Sequence, residues 1–198
     1  MAIRRGGDPD VAAQARQARP VARGDSATAH RLRSADATLY NAQAMITVDL
    51  PDVAGTAELA SRIAALAKPD DIIALKGELG TGKTTFARAF IRALGNSDEE
   101  VPSPTFTLVQ VYELDRVSVW HFDLYRLLSC EEAWELGIEE AFSEGISLIE
   151  WPERLGLLLP DRRLEVNLAF GDRPEARRIT LVPGGEWCTR LAPNAADA

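Results

Sequence analysis

The sequence predicts an α/β fold in which helices flank a mixed, partly parallel and partly antiparallel sheet that includes an antiparallel hairpin. The first observation is an apolar run, Asp71 to Lys76, which leads through a glycine-rich loop into a segment with helical spacing. The second is a pair of alternating runs, at 107–114 and 117–124, separated by only two residues. The third is composition, since 198 residues with 46% hydrophobic and 26% charged side chains suit one globular domain plus an additional segment.

The first half of the folded region alternates strands with helices. A strand-like run at 46–50 precedes a helix predicted at about 55–67, where apolar residues recur every three or four positions. The run from Asp71 to Lys76 predicts a strand, and the apolar spacing at 85–94 predicts a second helix. Gly95 ends that helix, because glycine is the usual residue just after a helix C-terminus.

The second half begins with the hairpin, because two alternating runs joined by two residues are typical of antiparallel strands. An acidic helical stretch follows, then a short apolar run of the buried-strand type, a short helix and a final strand pair. These elements are predicted at 107–114, 117–124, 130–143, 146–150, 152–159, 163–170 and 177–182.

The stretch from Gly77 to Thr84 reads GELGTGKT and matches the phosphate-binding pattern G-x-x-x-x-G-K-S/T. Glycines are needed there because consecutive backbone N–H groups must curl around an anion in conformations that a Cβ opposes. Lys83 supplies a cation for the β- and γ-phosphates, Thr84 a hydroxyl for Mg²⁺, and the following helix its N-terminal dipole. A chance match in about 200 residues has a frequency of about 1% from average glycine usage.

Strand, loop and helix follow in the order that this motif requires, so the sequence predicts a P-loop NTPase-like fold that binds a nucleoside triphosphate with Mg²⁺. The alternative, a merely glycine-rich turn, does not explain the flanking pattern. The predicted nucleotide-binding residues of the loop and helix start are Glu78, Leu79, Gly80, Thr81, Gly82, Lys83, Thr84 and Thr85.

A second acidic element completes such a site. The run from Ser147 to Glu150 is hydrophobic and ends on a carboxylate, as a Walker B strand does when it brings an acid to Mg²⁺ and the γ-phosphate. Many ordinary strands also end in Glu, so the pattern gains its meaning from the P-loop beside it. Thr84 and Glu150 are therefore the predicted metal-binding residues.

Two further segments leave alternatives open. In the strand ending at Asp123, alternation puts His121 and Asp123 on one face. Asp123 either orients the attacking water or holds a Mg²⁺-bound water, or it caps the following turn while His121 is simply satisfied within the sheet. The stretch Ser103 to Thr107 is stiffened by proline and rich in hydroxyls, which suits either a γ-phosphate-sensing switch loop or an ordinary loop entering a strand.

Domain organisation follows from composition. Residues 1–44 contain twelve alanines and seven arginines without a sustained apolar face, and we expect a disordered N-terminal extension. Its four aspartates argue against a mitochondrial transit peptide, and Met45 is a candidate alternative start. We expect the P-loop ATPase domain at 45–186 and a flexible C-terminal tail at 187–198.

Charge and cysteine content limit the partners. The chain has 22 basic and 30 acidic residues; with seven and four of them in the extension, 15 and 26 remain, a formal net charge of −11. Such a body repels nucleic acid, so we expect no strong direct RNA or DNA binding. Cys130 and Cys188 fit no metal pattern and suit free thiols, and no apolar stretch is long enough for a membrane span. We therefore expect a cytoplasmic protein.

Four segments taken together resemble a known family. GELGTGKTT, SPTFTLV, HFDLYRL and LIEWPE, in this order and at these intervals, are similar to the bacterial TsaE family, the small ATPases of tRNA threonylcarbamoyladenosine biosynthesis. The resemblance covers approximately residues 50–183. Thr81 stands where family members commonly carry Ala, and the 44-residue extension has no family counterpart that we can identify.

The resemblance implies ATP and Mg²⁺ as cofactors, Lys83 on phosphate, Thr84 and Glu150 at the metal, and Asp123 in hydrolysis. Thr105 belongs by this resemblance to the switch loop. It also implies TsaB and TsaD proteins as partners, which transfer a threonylcarbamoyl group to N6 of adenosine 37 in tRNA. In that system ATP turnover by the TsaE protein supports repeated cycles without itself transferring the group.

Two other functions use the same loop. A small-molecule P-loop kinase needs an acceptor pocket with arginines on a lid, and the only clustered candidates are Arg154, Arg162 and Arg163. A GTP-dependent regulator usually reads guanine with N-K-x-D, which this sequence lacks, so adenine is favoured.

Overall fold

A computed structural model describes residues 45–192 of the protein. The extension predicted at 1–44 and the end of the predicted tail at 193–198 lie outside the described residues. In the described part, seven strands form one sheet in the order β1-β7-β6-β2-β5-β4-β3. The strands are β1 (Ile46–Leu50), β2 (Ile72–Lys76), β3 (Val109–Glu113), β4 (Ser118–Asp123), β5 (Ile146–Glu150), β6 (Arg163–Phe170) and β7 (Arg177–Pro183).

Within residues 45–192, four α-helices and one 3-10 segment connect these strands, and a fifth α-helix follows the last strand. The helices are α1 (Val53–Ala64), α2 (Lys83–Leu94), α3 (Glu132–Glu135), α4 (Ile138–Glu144) and α5 (Trp187–Arg190), and the 3-10 segment is Pro152–Leu158. Gly137, at φ 75°, separates α3 from α4, so the acidic stretch predicted as one helix at 130–143 forms two short ones.

The sheet is mixed, as predicted. Strands β6, β2, β5 and β4 are mutually parallel, whereas β3 pairs antiparallel with β4 as the expected hairpin. On the other side, β7 pairs antiparallel with both β6 and β1. The carboxyl ends of β2, β5 and β4 therefore lie together at one edge, which is where open α/β sheets bind ligands.

Apolar side chains cover the central strands on both faces. On one face, α1 and α2 pack through Ile63, Phe86 and Phe90 against strand residues such as Leu148. On the other face, α4 and the 3-10 segment form a second core around Phe122. Because β2 and β5 are covered on both sides, they read as continuous apolar runs rather than alternating ones.

The packed part of the chain extends beyond the boundary predicted at residue 186. Trp187 in α5 is only 1% exposed and belongs to the core under α1 and α2. Arg190 donates two hydrogen bonds of 2.6 Å to the carboxylate of Asp71, at the start of the P-loop strand. The folded part therefore extends through Arg190, which corrects the flexible tail predicted from residue 187. Burial and this ion pair hold α5 in place.

Candidate functional site

The loop between β2 and α2 has the backbone that the glycine spacing predicts. Gly77, Gly80 and Gly82 have φ of 143°, 84° and 100°. A Cβ on Gly77 would lie 2.3 Å from the carbonyl oxygen of Leu168, so only glycine fits there. Gly82 precedes α2 without a side-chain cap, which leaves the first N–H groups of the helix for a ligand.

Lys83 is the first residue of α2, but its side chain reaches back into this loop and the residue is 4% exposed. Its Nζ donates to the carbonyl oxygens of Gly77 at 2.8 Å and Glu78 at 2.9 Å, and it lies 3.8 Å from the ring centroid of Trp151. Burial lowers the pKa of Lys83, and the negative charges of Glu150, Asp123 and Glu153 oppose that shift. The ammonium group of Lys83 is thus held by neutral groups at the cleft, and an anionic ligand could replace these contacts.

Glu150 links the Walker B strand to the P-loop helix. Its Oε2 accepts a hydrogen bond of 3.1 Å from the Thr84 hydroxyl, and its Oε1 lies 2.9 Å from Nε2 of His121. Glu150 is 2% exposed and His121 is fully buried. The parallel register of β4 and β5 sets Asp123 beside Glu150, so both carboxylates reach the same edge of the sheet.

Asp123 caps the turn that follows β4 and also accepts hydrogen bonds from the hydroxyl-rich loop. Its Oδ1 accepts the backbone N–H of Tyr125 at 3.2 Å, which caps the following turn. Its Oδ2 accepts hydrogen bonds from the hydroxyls of Ser103 at 3.0 Å and Thr105 at 2.8 Å. The hydroxyl-rich loop is therefore hydrogen-bonded to the Asp123 carboxylate at the cleft.

These groups line one cleft of about 270 Å³. Of the predicted site residues, Glu78 and Thr81 do not line it: Glu78 supplies a carbonyl to Lys83, and the buried Thr81 hydroxyl donates to the same carbonyl at 2.8 Å. The lining residues are Leu79, Gly80, Gly82, Lys83, Thr84, Thr85, Ser103, Thr105, Asp123, Tyr125, Glu150 and Trp151.

Three side chains support the site although the sequence did not predict them there or left their role ambiguous: Trp151, Tyr125 and Arg177. Trp151 follows Glu150 in a left-handed conformation, with φ 59°, and its ring centroid lies 5.0 Å from that of Tyr125. Arg177, from β7, donates a hydrogen bond of 2.9 Å to the carbonyl of Thr81 and so stabilises the loop. No sequence signal identifies Arg177, because its position depends on the pairing of β7 with β6.

The donor set at this edge suits Mg²⁺. Hydroxyl and carboxylate oxygens, from Thr84 and Glu150, are hard ligands, and Mg²⁺ usually takes only one or two protein ligands besides phosphate and water. Among residues 45–192 there is no cluster of three or more His, Cys, Asp or Glu side chains that would form a complete metal cage. A site completed by a phosphate ligand is consistent with this arrangement.

Comparison with known proteins decides the family. The model of the family described as "Threonylcarbamoyl adenosine biosynthesis protein TsaE" matches residues 50–179. The chain belongs to the TsaE family. Its P-loop NTPase-like fold agrees with this membership, as does the order of the four segments that suggested the resemblance.

Individual relatives support the same assignment. The chain is 45% identical over 117 residues to a TsaE protein of Rickettsia bellii, covering 59% of this chain and 81% of the relative. It is 39% identical over 131 residues to a TsaE protein of Bacillus subtilis, covering 66% and 80%. The crystal structure of Bacillus subtilis YdiB is similar with a TM-score of 0.63 and 31% identity, covering 74% of this chain and 91% of that one.

Within the described residues, no helix of this TsaE family member is both long and apolar enough to span a bilayer.

Proposed function

We propose that this protein binds and hydrolyses ATP with Mg²⁺ as the accessory ATPase of tRNA N6-threonylcarbamoyladenosine formation at position 37, acting with TsaB and TsaD proteins. The observation that carries the proposal is the convergence of a P-loop lysine, a Thr84–Glu150 contact and Asp123 on one cleft in a TsaE family member. The relatives from Rickettsia bellii and Bacillus subtilis are named as tRNA threonylcarbamoyladenosine biosynthesis proteins.

Each group has a distinct part in this proposal. The loop amides and Lys83 bind the triphosphate and stabilise the negative charge that develops on it. Thr84 and Glu150 would hold Mg²⁺, which when bound neutralises phosphate charge. Asp123 orients the attacking water, and Thr105 senses the terminal phosphate through the hydroxyl that donates to Asp123.

The geometry disfavours the small-molecule kinase. Arg162 donates to the carbonyls of Asp70 and Phe142, and Arg163 pairs with Glu165 at the start of β6. These arginines therefore lie at the amino ends of the parallel strands, whereas the cleft lies at their carboxyl ends. Two of the three clustered arginines thus have structural partners and cannot serve as a lid over the phosphates.

The acidic character of the chain fits an accessory role. The sequence outside residues 1–44 has a formal net charge of −11, which opposes direct association with tRNA. A protein that acts on a tRNA-modifying complex through protein partners does not need a basic surface of its own.

The decisive experiment measures ATP hydrolysis by the full chain with and without purified TsaB and TsaD. We expect phosphate release that the partners stimulate, and thin-layer separation of labelled products should show ADP and free phosphate. Label on a small acceptor would support the kinase instead. No hydrolysis in the presence of both partners would contradict the proposal.

Three substitutions test the assigned roles. Lys83→Ala should weaken triphosphate binding, whereas Glu150→Ala and Asp123→Ala should chiefly slow hydrolysis. Loss of one such electrostatic contact typically costs about 3 kcal/mol, or roughly two orders of magnitude in rate. Asp123→Ala with unchanged turnover would remove Asp123 from the reaction.

A further inference from the structure

We infer that His121 is a positioning residue that fixes the Glu150 carboxylate for metal binding, an inference that rests on the proposed function. His121 lies on β4, opposite Leu148 in the parallel register with β5, and it faces the same side as Asp123. From there its Nε2 reaches Oε1 of Glu150 at 2.9 Å. The ring is thus beneath the carboxylate, on the protein side of the site.

The two oxygens of Glu150 have different partners. Oε1 is held by a buried ring on the central sheet, whereas Oε2 contacts the Thr84 hydroxyl at the start of α2. The contact with His121 therefore fixes the orientation of the carboxylate, with one oxygen directed toward the P-loop. Without it, the carboxylate could rotate about its last side-chain bond, and a metal ion would have to order it on binding.

Burial strengthens this contact. The side chains of His121 and Glu150 are 0% and 3% exposed, so water does not readily replace a lost partner. In such surroundings a hydrogen bond is stronger than in water, and an unpaired carboxylate oxygen is more costly.

The other ring nitrogen indicates that packing alone does not explain the histidine. Nδ1 of His121 is buried and has no hydrogen-bond partner among the described residues. A histidine whose role was only to satisfy the sheet would gain from pairing both nitrogens, and an apolar residue would avoid the unpaired one. The contact with Glu150 is the polar interaction that accounts for an imidazole at this position.

Asn and Gln form a matched pair of substitutions for the test. The amide nitrogen of His121→Gln can take the place of Nε2, whereas that of His121→Asn falls near Nδ1, too short to reach Glu150. Both are neutral amides that differ by one methylene. The full chain with ADP is titrated with Mn²⁺, and electron paramagnetic resonance of the free ion reports binding without any turnover.

We expect His121→Asn to weaken Mn²⁺ binding to the ADP complex about tenfold or more, as loss of a partner to a metal-ligating carboxylate typically does. His121→Gln should retain most of the affinity. Binding of ADP in EDTA should be unchanged in both variants, since His121 does not line the cleft. In hydrolysis, the Mg²⁺ concentration for half-maximal rate should rise for Asn more than for Gln.

The outcomes separate this inference from the proposed function. Equal Mn²⁺ affinity of the wild type, Asn and Gln proteins overturns the role of His121, as does an equal loss of metal-free and metal-loaded ADP binding. If His121→Asn does not fold, His121→Leu takes its place with the same expectation. A wild-type chain that takes up no Mn²⁺ with ADP contradicts the proposed function itself.

Discussion

Lys83 is held by groups that a phosphate ligand would replace. Two backbone carbonyls and the face of Trp151 surround its ammonium group, and burial lowers its pKa. A bound phosphate offers a full negative charge where the carbonyls offer only dipoles, so binding should favour the protonated form. Nucleotide affinity and protonation of Lys83 are therefore coupled.

The sign of this coupling gives a pH prediction. Because burial lowers the pKa of Lys83 in the free protein and bound phosphate should raise it, affinity for ADP should be greatest below the lowered pKa and fall as the pH rises through it. The fall should begin below the ordinary pKa of lysine and approach about tenfold per pH unit. Calorimetric titration across this range measures it. Lys83→Arg stays charged throughout, so any binding it retains should not follow the same profile.

A second residue-scale prediction concerns the hydroxyl that connects the switch loop to Asp123. Thr105→Val preserves shape but removes the hydrogen bond of 2.8 Å to Oδ2 of Asp123. A hydrogen bond to a charged group contributes about 1.5–3 kcal/mol, so kcat for ATP should fall roughly tenfold to a hundredfold. Thr105→Ser keeps the hydroxyl and should stay close to the wild type. Equal rates for Val and Ser would show that this hydroxyl has no part in turnover.

At the scale of elements, the local apolar pattern predicts a strand well where both faces of that strand are buried. The apolar runs of β2 and β5 predicted their strands almost to the residue, because both faces of each strand are covered. The first helix begins at Val53, two residues before the predicted start, because Asp52 caps it by accepting the N–H of Gly55 at 2.9 Å. Asp is a preferred N-cap residue, so this helix start is also indicated by the sequence.

Long-range packing is what the sequence did not reveal. The P-loop motif is local, so the loop and its lysine could be predicted from spacing alone. Arg177 reaches the loop only because β7 pairs with β6, and Trp187 is buried only because α5 folds back onto the core. A short polar segment near the end of a chain reads as a tail until its partners are known.

The packed position of α5 predicts a stability effect. Trp187→Ala removes a side chain that is 1% exposed, and such truncations typically lower the free energy of unfolding by about 3–5 kcal/mol. Trp134→Ala is the matched control, because Trp134 is 46% exposed and should change stability far less. Urea unfolding followed by circular dichroism measures both. Similar midpoints for the two variants would mean that α5 is not part of the cooperative unit.

At the scale of the whole molecule, the described residues supply their own core. Within residues 45–192, seven strands form one sheet and an apolar cluster covers each of its faces. The basic residues of 1–44 offset part of the acidic charge of the remainder. We therefore expect folding to depend on the sheet and its helices. Any contribution of residues 1–44 would concern association with other molecules.

Deletion of residues 1–44 should therefore leave a folded, active protein that begins at Met45. We expect a melting temperature within about 2 °C of the full chain, a smaller shift than ~1 kcal/mol usually causes in a domain of this size. ATP hydrolysis with TsaB and TsaD should be unchanged at moderate salt. A matched deletion of residues 1–50 also removes β1, which pairs with β7 along its length, and should destabilise the protein clearly. An unfolded or inactive chain after the shorter deletion would show that the extension belongs to the functional unit.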